Sequence, residues 1–339
     1  MPKVSVVVPI YNVSAYIERC ARSLFEQSLQ DMEYIFINDC TPDDSMDVLE
    51  KVLKDYPGRK DQTRIVKMST NSRLAAVRRQ GIQLSSGDFI IHCDGDDWVD
   101  VDLYEKMYAE AIQKGADIVV CPIRDEYREY GVTRPLQSLP NSGQDILENW
   151  YNKSVEMYTW NKLVKRSLYV DHDIFPFEGI NMWEDNGLFL RLFYYAQGVS
   201  YINKAVYHYN RMNMAAMTKG YGRDAVTQMI HCADQIDEFF QSKPDFKKFE
   251  KTVLALKFYA RINLITGSYK ELRTYYSTFP ESDIIIPEIN LEAFSKKGRL
   301  RFLFVKYHLA WLFVMMFKVK IFFNEMKSKL IKLFYILRF

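Results

Sequence analysis

Three aspartates stand within four residues at Asp94-Gly95-Asp96-Asp97, directly after the apolar run 89–93. Like charges this close repel by about 1 kcal/mol per pair at 4 Å in water, and by about 4 kcal/mol at an effective dielectric of 20. A bound cation removes that cost. Oxygen ligands of this kind suit Mg2+ or Mn2+, ions that keep several waters and share the phosphates of a substrate. The same residues can also form a solvated acidic turn, since Asp and Gly are ordinary turn formers. The apolar run weighs toward a site, because a strand there would carry the cluster to one edge of a sheet. Other acids take similar places: Asn38-Asp39 and Asp43 follow the strand-like run 33–37, and Trp183-Glu184-Asp185 opens a helical pattern.

The elements that must position these groups can be read from periodicity. The first 120 residues alternate short β-rich runs with helical patterns, which predicts βαβ units and a mostly parallel sheet. Strands are expected at 4–9, 33–37, 64–68, 89–93 and 117–121. Helices are expected from Ser14 as a cap to 27, from Thr41-Pro42 to 55, and at 74–84 and 103–114. In an open parallel sheet, ligands bind beyond the carboxyl ends of the strands. Those ends carry Tyr11-Asn12, Asn38-Asp39 with Asp43, residues 69–73, and the aspartate cluster. A nucleotide site needs that combination: one carboxylate for base or ribose, and a cluster for a divalent ion. After Pro122 the segments are longer and aromatic-rich, with helices expected at 184–196, 225–241 and 248–276 and a linker at 280–291.

Val4-Ser5-Val6-Val7-Val8-Pro9-Ile10-Tyr11-Asn12, then Ile37-Asn38-Asp39, then Ser86-Gly87-Asp88-Phe89-Ile90 leading to Asp94-Gly95-Asp96-Asp97, resemble the family 2 nucleotide-sugar glycosyltransferases. Four motifs in order over about 100 residues make chance a poor explanation. Trp160-Asn161-Lys162-Leu163 and Trp183-Glu184-Asp185 extend the likeness over roughly residues 3 to 215. The resemblance implies an α/β fold of GT-A type, with a mostly parallel central sheet flanked by helices and a helical C-terminal extension. Residues 1–122 would be the nucleotide-sugar-binding half, 123–279 the half for acceptor and catalytic base, and 280–339 a basic amphipathic extension.

Roles follow from the resemblance at matching positions only. Asp39 would hold the uracil or ribose of the donor, with Pro9, Tyr11 and Asp43 lining the same pocket. Arg78 would contact the diphosphate or nucleoside. Asp96 and Asp97 would approach the metal, while Asp94 beside Gly95 serves the ribose, and Asp185 would be the catalytic base. Trp183, Glu184, His208 and Arg211 are candidates for acceptor or diphosphate contacts, although Tyr207-His208-Tyr209-Asn210-Arg211 also reads as a packed aromatic strand. Trp98, Trp160 and Trp183 would stack on acceptor sugars or be buried. The chain departs from the family pattern at Asn38-Asp39-Cys40-Thr41-Pro42 and at Val77-Arg78-Arg79. Neither departure removes a group that inversion needs: one base on the acceptor hydroxyl, and a cation to stabilise the leaving diphosphate.

Two other classes remain open at this level: a catalytically silent nucleotide-sugar-binding or scaffold protein, and a nucleotidyltransferase. The second would carry a Gly-rich basic loop after the first strand, where this chain has Pro9-Ile10-Tyr11-Asn12. No Gly-x-x-x-x-Gly-Lys or Gly-x-Gly-x-x-Gly occurs, so kinase and dehydrogenase readings lose their main support.

Composition separates the tail from the rest. The 339 residues are 48% hydrophobic and 26% charged, with a net charge of +2. Residues 296–339 hold eleven Lys or Arg against Glu325 alone, leaving 34 basic and 42 acidic side chains in the first 295. A nucleic-acid partner for the whole chain is therefore not expected. The uncharged run 307–317 is too short for the ~20 residues that span a bilayer, so the tail is expected on an anionic membrane surface. Its alternative use is packing on the enzyme or on a second subunit of a homo-oligomer. Five widely spaced cysteines suggest reduced core thiols, and the first nine residues lack signal-peptide features, so the expected place is cytoplasmic, peripheral at the inner face of the membrane.

Overall fold

Val4, Val6, Val8 and Ile10 enter one apolar layer, while Val7 meets the helix on the opposite face, so the first strand is buried on both sides as a parallel sheet requires. In a computed structural model describing residues 1–134, 140–152, 155–213, 222–265, 268–291, 294–319, 323 and 326, that strand is β1 (Val4–Ile10). It is followed by α1 (Ile17–Phe25), β2 (Met32–Asn38), α2 (Ser45–Asp55), β3 (Thr63–Lys67), α3 (Arg73–Leu84) and β4 (Phe89–His92). These strands lie parallel in the order β4-β1-β2-β3. Gly81 of α3 lets helix and strand touch: a Cβ there would lie 2.2 Å from Val7 Cγ1.

The chain continues through β5 (Trp98–Val99), α4 (Leu103–Lys114), β6 (Ile118–Val120), β7 (Ile123–Glu126), β8 (Gly131–Thr133) and α5 (Gly143–Asn149). After β9 (Lys162–Lys165) come α6 (Arg166–Val170), α7 (Glu184–Tyr195), β10 (Val199–Tyr201), β11 (Tyr207–Asn210) and α8 (Arg223–Gln241). The main sheet is completed as β10-β6-β9-β4, with β9 antiparallel to both neighbours. The expected mostly parallel α/β sheet with flanking helices is what forms. A second sheet, β5-β11-β7-β8, was legible only where 207–211 reads as an aromatic strand, because its strands have two to four residues and, apart from the β7–β8 hairpin, pair with partners far away in sequence.

Two helix starts differ from expectation for one reason. Ser14 does not cap α1; its amide donates to Asp43 Oδ2 at 2.8 Å, and α1 begins at Ile17. Thr41 does not cap α2 either. Its hydroxyl donates to Asp43 Oδ1 at 2.6 Å and accepts from Asn12 N, and the helix begins at Ser45. Polar side chains that could have capped helices instead join the loops after β1 and β2.

The chain forms two compact units, residues 1–149 with 154–239, and residues 150–153 with 240–339. The second contains α9 (Glu250–Arg261), α10 (Tyr269–Ser277), a 3-10 helix at Pro280–Glu288, α11 (Lys296–Lys306) and a helix at 310–319. The break between units thus falls at Phe240 and not at 280. Residues expected to form a linker bury Ser282, Ile285 and Ile286, and buried Arg261 donates to the carbonyls of Thr278 and Phe279 and pairs with Asp283. The expected single helix 248–276 is interrupted after Arg261 by a 3-10 turn, and restarts where the Ser268 hydroxyl accepts from Lys270 N at 3.2 Å.

Candidate active site

The carboxyl ends of β1, β2 and β4 bring the sequence-predicted groups to one edge of the sheet. Pro9 is in β1, and Tyr11 just beyond it is half exposed. Gly95 fits close under them: a Cβ there would lie 3.0 Å from Pro9 O. Asp39 directly follows β2 with 4% exposure, its two oxygens accepting from the amides of Ser72 (2.6 Å) and Arg73 (2.9 Å) at the start of α3. Asp43 gathers the neighbouring loops. It accepts from Ser14 N, Thr41 Oγ1, Ser45 N and Ser45 Oγ, and so fastens the loop after β1 to α2. Burial pushes its carboxyl up, but those bonds outweigh it and hold the group well below the ordinary range.

Arg78 is the hub of the site. It is 3% exposed on α3, donates from Nη2 to Asp94 Oδ1 at 2.8 Å, and pairs through Nη1 with Glu184 Oε1. One guanidinium thus joins the aspartate cluster beyond β4 to the first residue of α7, where Asp185 follows. Glu184 is therefore an arginine partner in the free protein. A fork of this shape can hold two carboxylates, which a lysine ammonium does less well.

The cluster itself is anchored from β11. Asp97 is 1% exposed, with Oδ1 accepting from Asn210 N (2.7 Å) and Oδ2 from Tyr207 OH (2.8 Å). The same hydroxyl accepts from Asp94 N at 3.0 Å. Asp96 Oδ2 accepts from Asn213 Nδ2 at 2.7 Å. Burial, then the charge of Asp94, raises the Asp96 carboxyl; burial, then Asp96 and Asp94, raises Asp97 well above its usual range. Mutual repulsion of this kind is what a divalent cation relieves, so the donor set fits a hard, oxygen-bound ion. Among the described residues no three carboxylate, His or Cys side chains are grouped so as to hold a metal ion by themselves.

Asp185 is partly buried, and Oδ1 accepts from Asn186 N (2.7 Å) and Asn186 Nδ2 (2.9 Å). Burial raises its carboxyl, against the hydrogen bonds of Asn186 and the charges of Arg78 and Lys162. Trp183, just before it, takes a left-handed backbone (φ 69°) that aromatic residues rarely adopt. Trp98 stacks on His208 (centroids 5.2 Å apart) with the Arg19 guanidinium 3.2 Å over its ring, and Trp160 stacks with Tyr158, Tyr207 and Tyr209. Of the three tryptophans considered for sugar stacking, only Trp183 has no ring or cation partner among the described residues.

His208 and Arg211 sit among carboxylates. His208 bridges Glu126 Oε1 (2.7 Å) and Asp100 Oδ1 (2.9 Å), and Arg211 Nε donates to Asp125 Oδ1 (2.7 Å). Their neighbours Tyr207 and Asn210 reach the aspartate cluster instead, and sequence reasoning passed over them. The signal was present in the same aromatic run, whose polar tips were not considered. Lys162 belongs to the motif Trp160-Asn161-Lys162-Leu163. It is buried, donates from Nζ to Glu156 O, Tyr158 O and Asn161 Oδ1 at 2.6 to 2.8 Å, and burial pushes it down to about 7, against the charge of Asp185.

A mostly parallel sheet with an aspartate cluster beyond one strand, tied by a buried arginine to a Glu-Asp pair on a later helix, defines a glycosyltransferase of GT-A type. Residues 5–172 match Glycosyl transferase family 2, and the chain belongs to that family. EpsH of Bacillus subtilis (strain 168), a glycosyltransferase by its name, is 29% identical over 257 residues, covering 74% of this chain and 72% of that protein. The poly(ribitol-phosphate) beta-glucosyltransferase of Bacillus spizizenii is 27% identical over 178 residues, 51% of this chain and 27% of that protein. The crystal structure of S. aureus TarS 1-349 in complex with UDP-GlcNAc shares the fold, with a TM-score of 0.69 at 17% identity over 93% of this chain and 90% of that one.

Proposed function

We propose that this glycosyltransferase moves a sugar, with inversion, from a UDP-sugar to a hydroxyl of a saccharide or lipid-linked saccharide, in the synthesis of a cell-surface polysaccharide or glycolipid. The observation that carries the reading is Arg78, whose two ion pairs set the base-bearing end of α7 beside the aspartate cluster. Asp185 accepts the acceptor proton as that hydroxyl oxygen bonds to the anomeric carbon and the bond to the diphosphate breaks. Asp39 keeps a second lone pair on each oxygen for the nucleoside, and Pro9, Tyr11 and Gly95 flank it. Asp96 faces the cation, and Asp97 orients the cluster through β11. Mn2+ or Mg2+ held at Asp96 supplies Lewis-acid stabilisation of the leaving diphosphate. Trp183 offers its ring to the acceptor. The UDP-GlcNAc complex of the fold relative supports the donor class, and the polymer named for the Bacillus spizizenii relative supports the acceptor class.

The second unit supports attachment to an anionic membrane. Its helix 310–319 buries Ala310, Phe313 and Val314 and exposes Trp311, Met315, Met316 and Val319. No helix among the described residues is long and apolar enough to cross a bilayer. The remaining basic tail beyond 326 lies outside the described residues. Aromatic and thioether side chains flanked by lysines favour the interface between headgroups and acyl chains.

Incubating the purified full-length protein with a panel of UDP-sugars and Mn2+, and measuring UDP release, tests the catalytic reading. Release from at least one donor is expected, with loss in Asp96→Ala. Wild-type release undiminished by Asp96→Ala would refute the assignment of the cluster.

A further inference from the structure

Below the site, the sheet face on which α3 packs holds polar atoms that the reaction does not use. Strand alternation sends Ile91 and Cys93 into the apolar layer with α1 and α4. His92 points the other way. It is the register partner of Val7, the residue on which Gly81 of α3 rests. Arg78 is on α3, and α6, which carries Tyr169, starts against the end of α3 and the approach to β4, where Arg166 donates from Nε to Ser85 O and from its amide to Asp88 O. His92, Tyr169 and Arg78 are 1%, 0% and 3% exposed.

Among the described residues, four of their atoms have no hydrogen-bond partner: Arg78 Nε, both ring nitrogens of His92, and Tyr169 OH. Three residues from three elements show the same deficit, and the Arg78 charge acts on both of the others. Burial pushes His92 well below its ordinary value, so its imidazole is neutral and has one N–H and one lone pair to satisfy. The Arg78 Nε–H can only donate, whereas the tyrosine hydroxyl both donates and accepts. Buried polar atoms are almost always paired, and where protein cannot supply the partner an ordered water does, making about three hydrogen bonds.

We propose that Arg78 Nε, His92 and Tyr169 OH enclose ordered water, and that His92 and Tyr169 are thereby positioning residues that hold the guanidinium plane. The water accepts from Arg78 Nε–H, and it donates to the imidazole lone pair or the phenol oxygen. With Nε held, Nη1 and Nη2 can meet Glu184 and Asp94 together; with Nε free, the guanidinium can turn and lose one of them. The functional half of the inference rests on the proposed roles of Asp185 and the aspartate cluster. The water site itself does not.

The experiment has a structural arm and a kinetic arm, both on the full-length protein. A high-resolution crystal structure is expected to show water within hydrogen-bonding distance of Arg78 Nε and of His92 or Tyr169. A direct protein acceptor on Nε, or a dry contact among the three, overturns the proposal. In the kinetic arm, Tyr169→Phe and His92→Leu are expected to lower kcat for UDP release by about tenfold or more, as loss of outer supporting groups does elsewhere. KM for donor and the thermal midpoint should change little, and His92→Gln should recover most of the rate. Wild-type kcat in both disruptive variants, or a rate loss that only tracks lost stability, overturns the positioning role. A wild-type protein inactive on every donor would count against the catalytic reading alone, and the crystallographic arm would still decide the water site.

Discussion

Asp185 carries opposed demands that its surroundings make measurable. Burial raises its folded-state carboxyl above the ordinary range, against the pull of Asn186, Arg78 and Lys162. A protonated carboxyl cannot take the acceptor proton, so kcat/KM should fall on the acid side with an apparent pKa above that of an unperturbed aspartate. The stability consequence runs the other way. As pH climbs through the raised range the unfolded chain has already released this proton, so ionising Asp185 in the folded protein lowers stability. Asp185→Asn is expected to cut transfer by about 10²- to 10⁴-fold while adding about 1 kcal/mol of stability at neutral pH. Parallel measurement of transfer rate and urea midpoint checks both. An active Asn variant would remove Asp185 from the base role.

At the scale of elements, α3 matters because it carries Arg78 across β1 at very short range. Gly81→Ala would place a methyl 2.2 Å from Val7 Cγ1, so the helix must move off the strand. A cost of about 1–3 kcal/mol is expected, and Val7→Ala in the same chain should return part of it, since the two sites touch. Full stability in the single variant, read from its denaturation midpoint, would show that α3 does not depend on this contact. β1, β2, β4 and α4 were legible because each has a mainly apolar run or a clear helical period, and Gly115 in a left-handed conformation ends α4 as a Gly after a helix does. Asp39, Asp94 and Asp185 were legible as candidates because each stands at an element end. The partners of these residues were not. Tyr207 and Asn210 meet the cluster from more than 100 positions away, and of the two carboxylates that Arg78 joins, Glu184 stands 106 positions further along. Long-range pairing leaves no periodic trace in a sequence.

Over the whole molecule, charge is divided more sharply than its net of +2 suggests, since the last 44 residues are strongly basic and the rest acidic. Full-length protein is therefore expected to co-sediment with vesicles containing phosphatidylglycerol, and less so as salt rises, because exposed charges are screened beyond about 8 Å at physiological ionic strength. Trp311→Ala with Met315→Ala should weaken the binding that salt leaves intact. Equal binding to neutral and anionic vesicles would argue against the electrostatic part of the attachment, and no binding to either would point to a protein partner for the tail.

The most direct measurement is calorimetric titration of UDP into the full-length protein, with and without Mn2+, for wild type, Asp96→Ala and Asp185→Asn. If Asp96 holds the cation and Asp185 serves only the acceptor proton, Mn2+ should strengthen UDP binding in wild type and Asp185→Asn but not in Asp96→Ala. Mn2+-strengthened binding that survives in Asp96→Ala, or vanishes in Asp185→Asn, would contradict that division of labour.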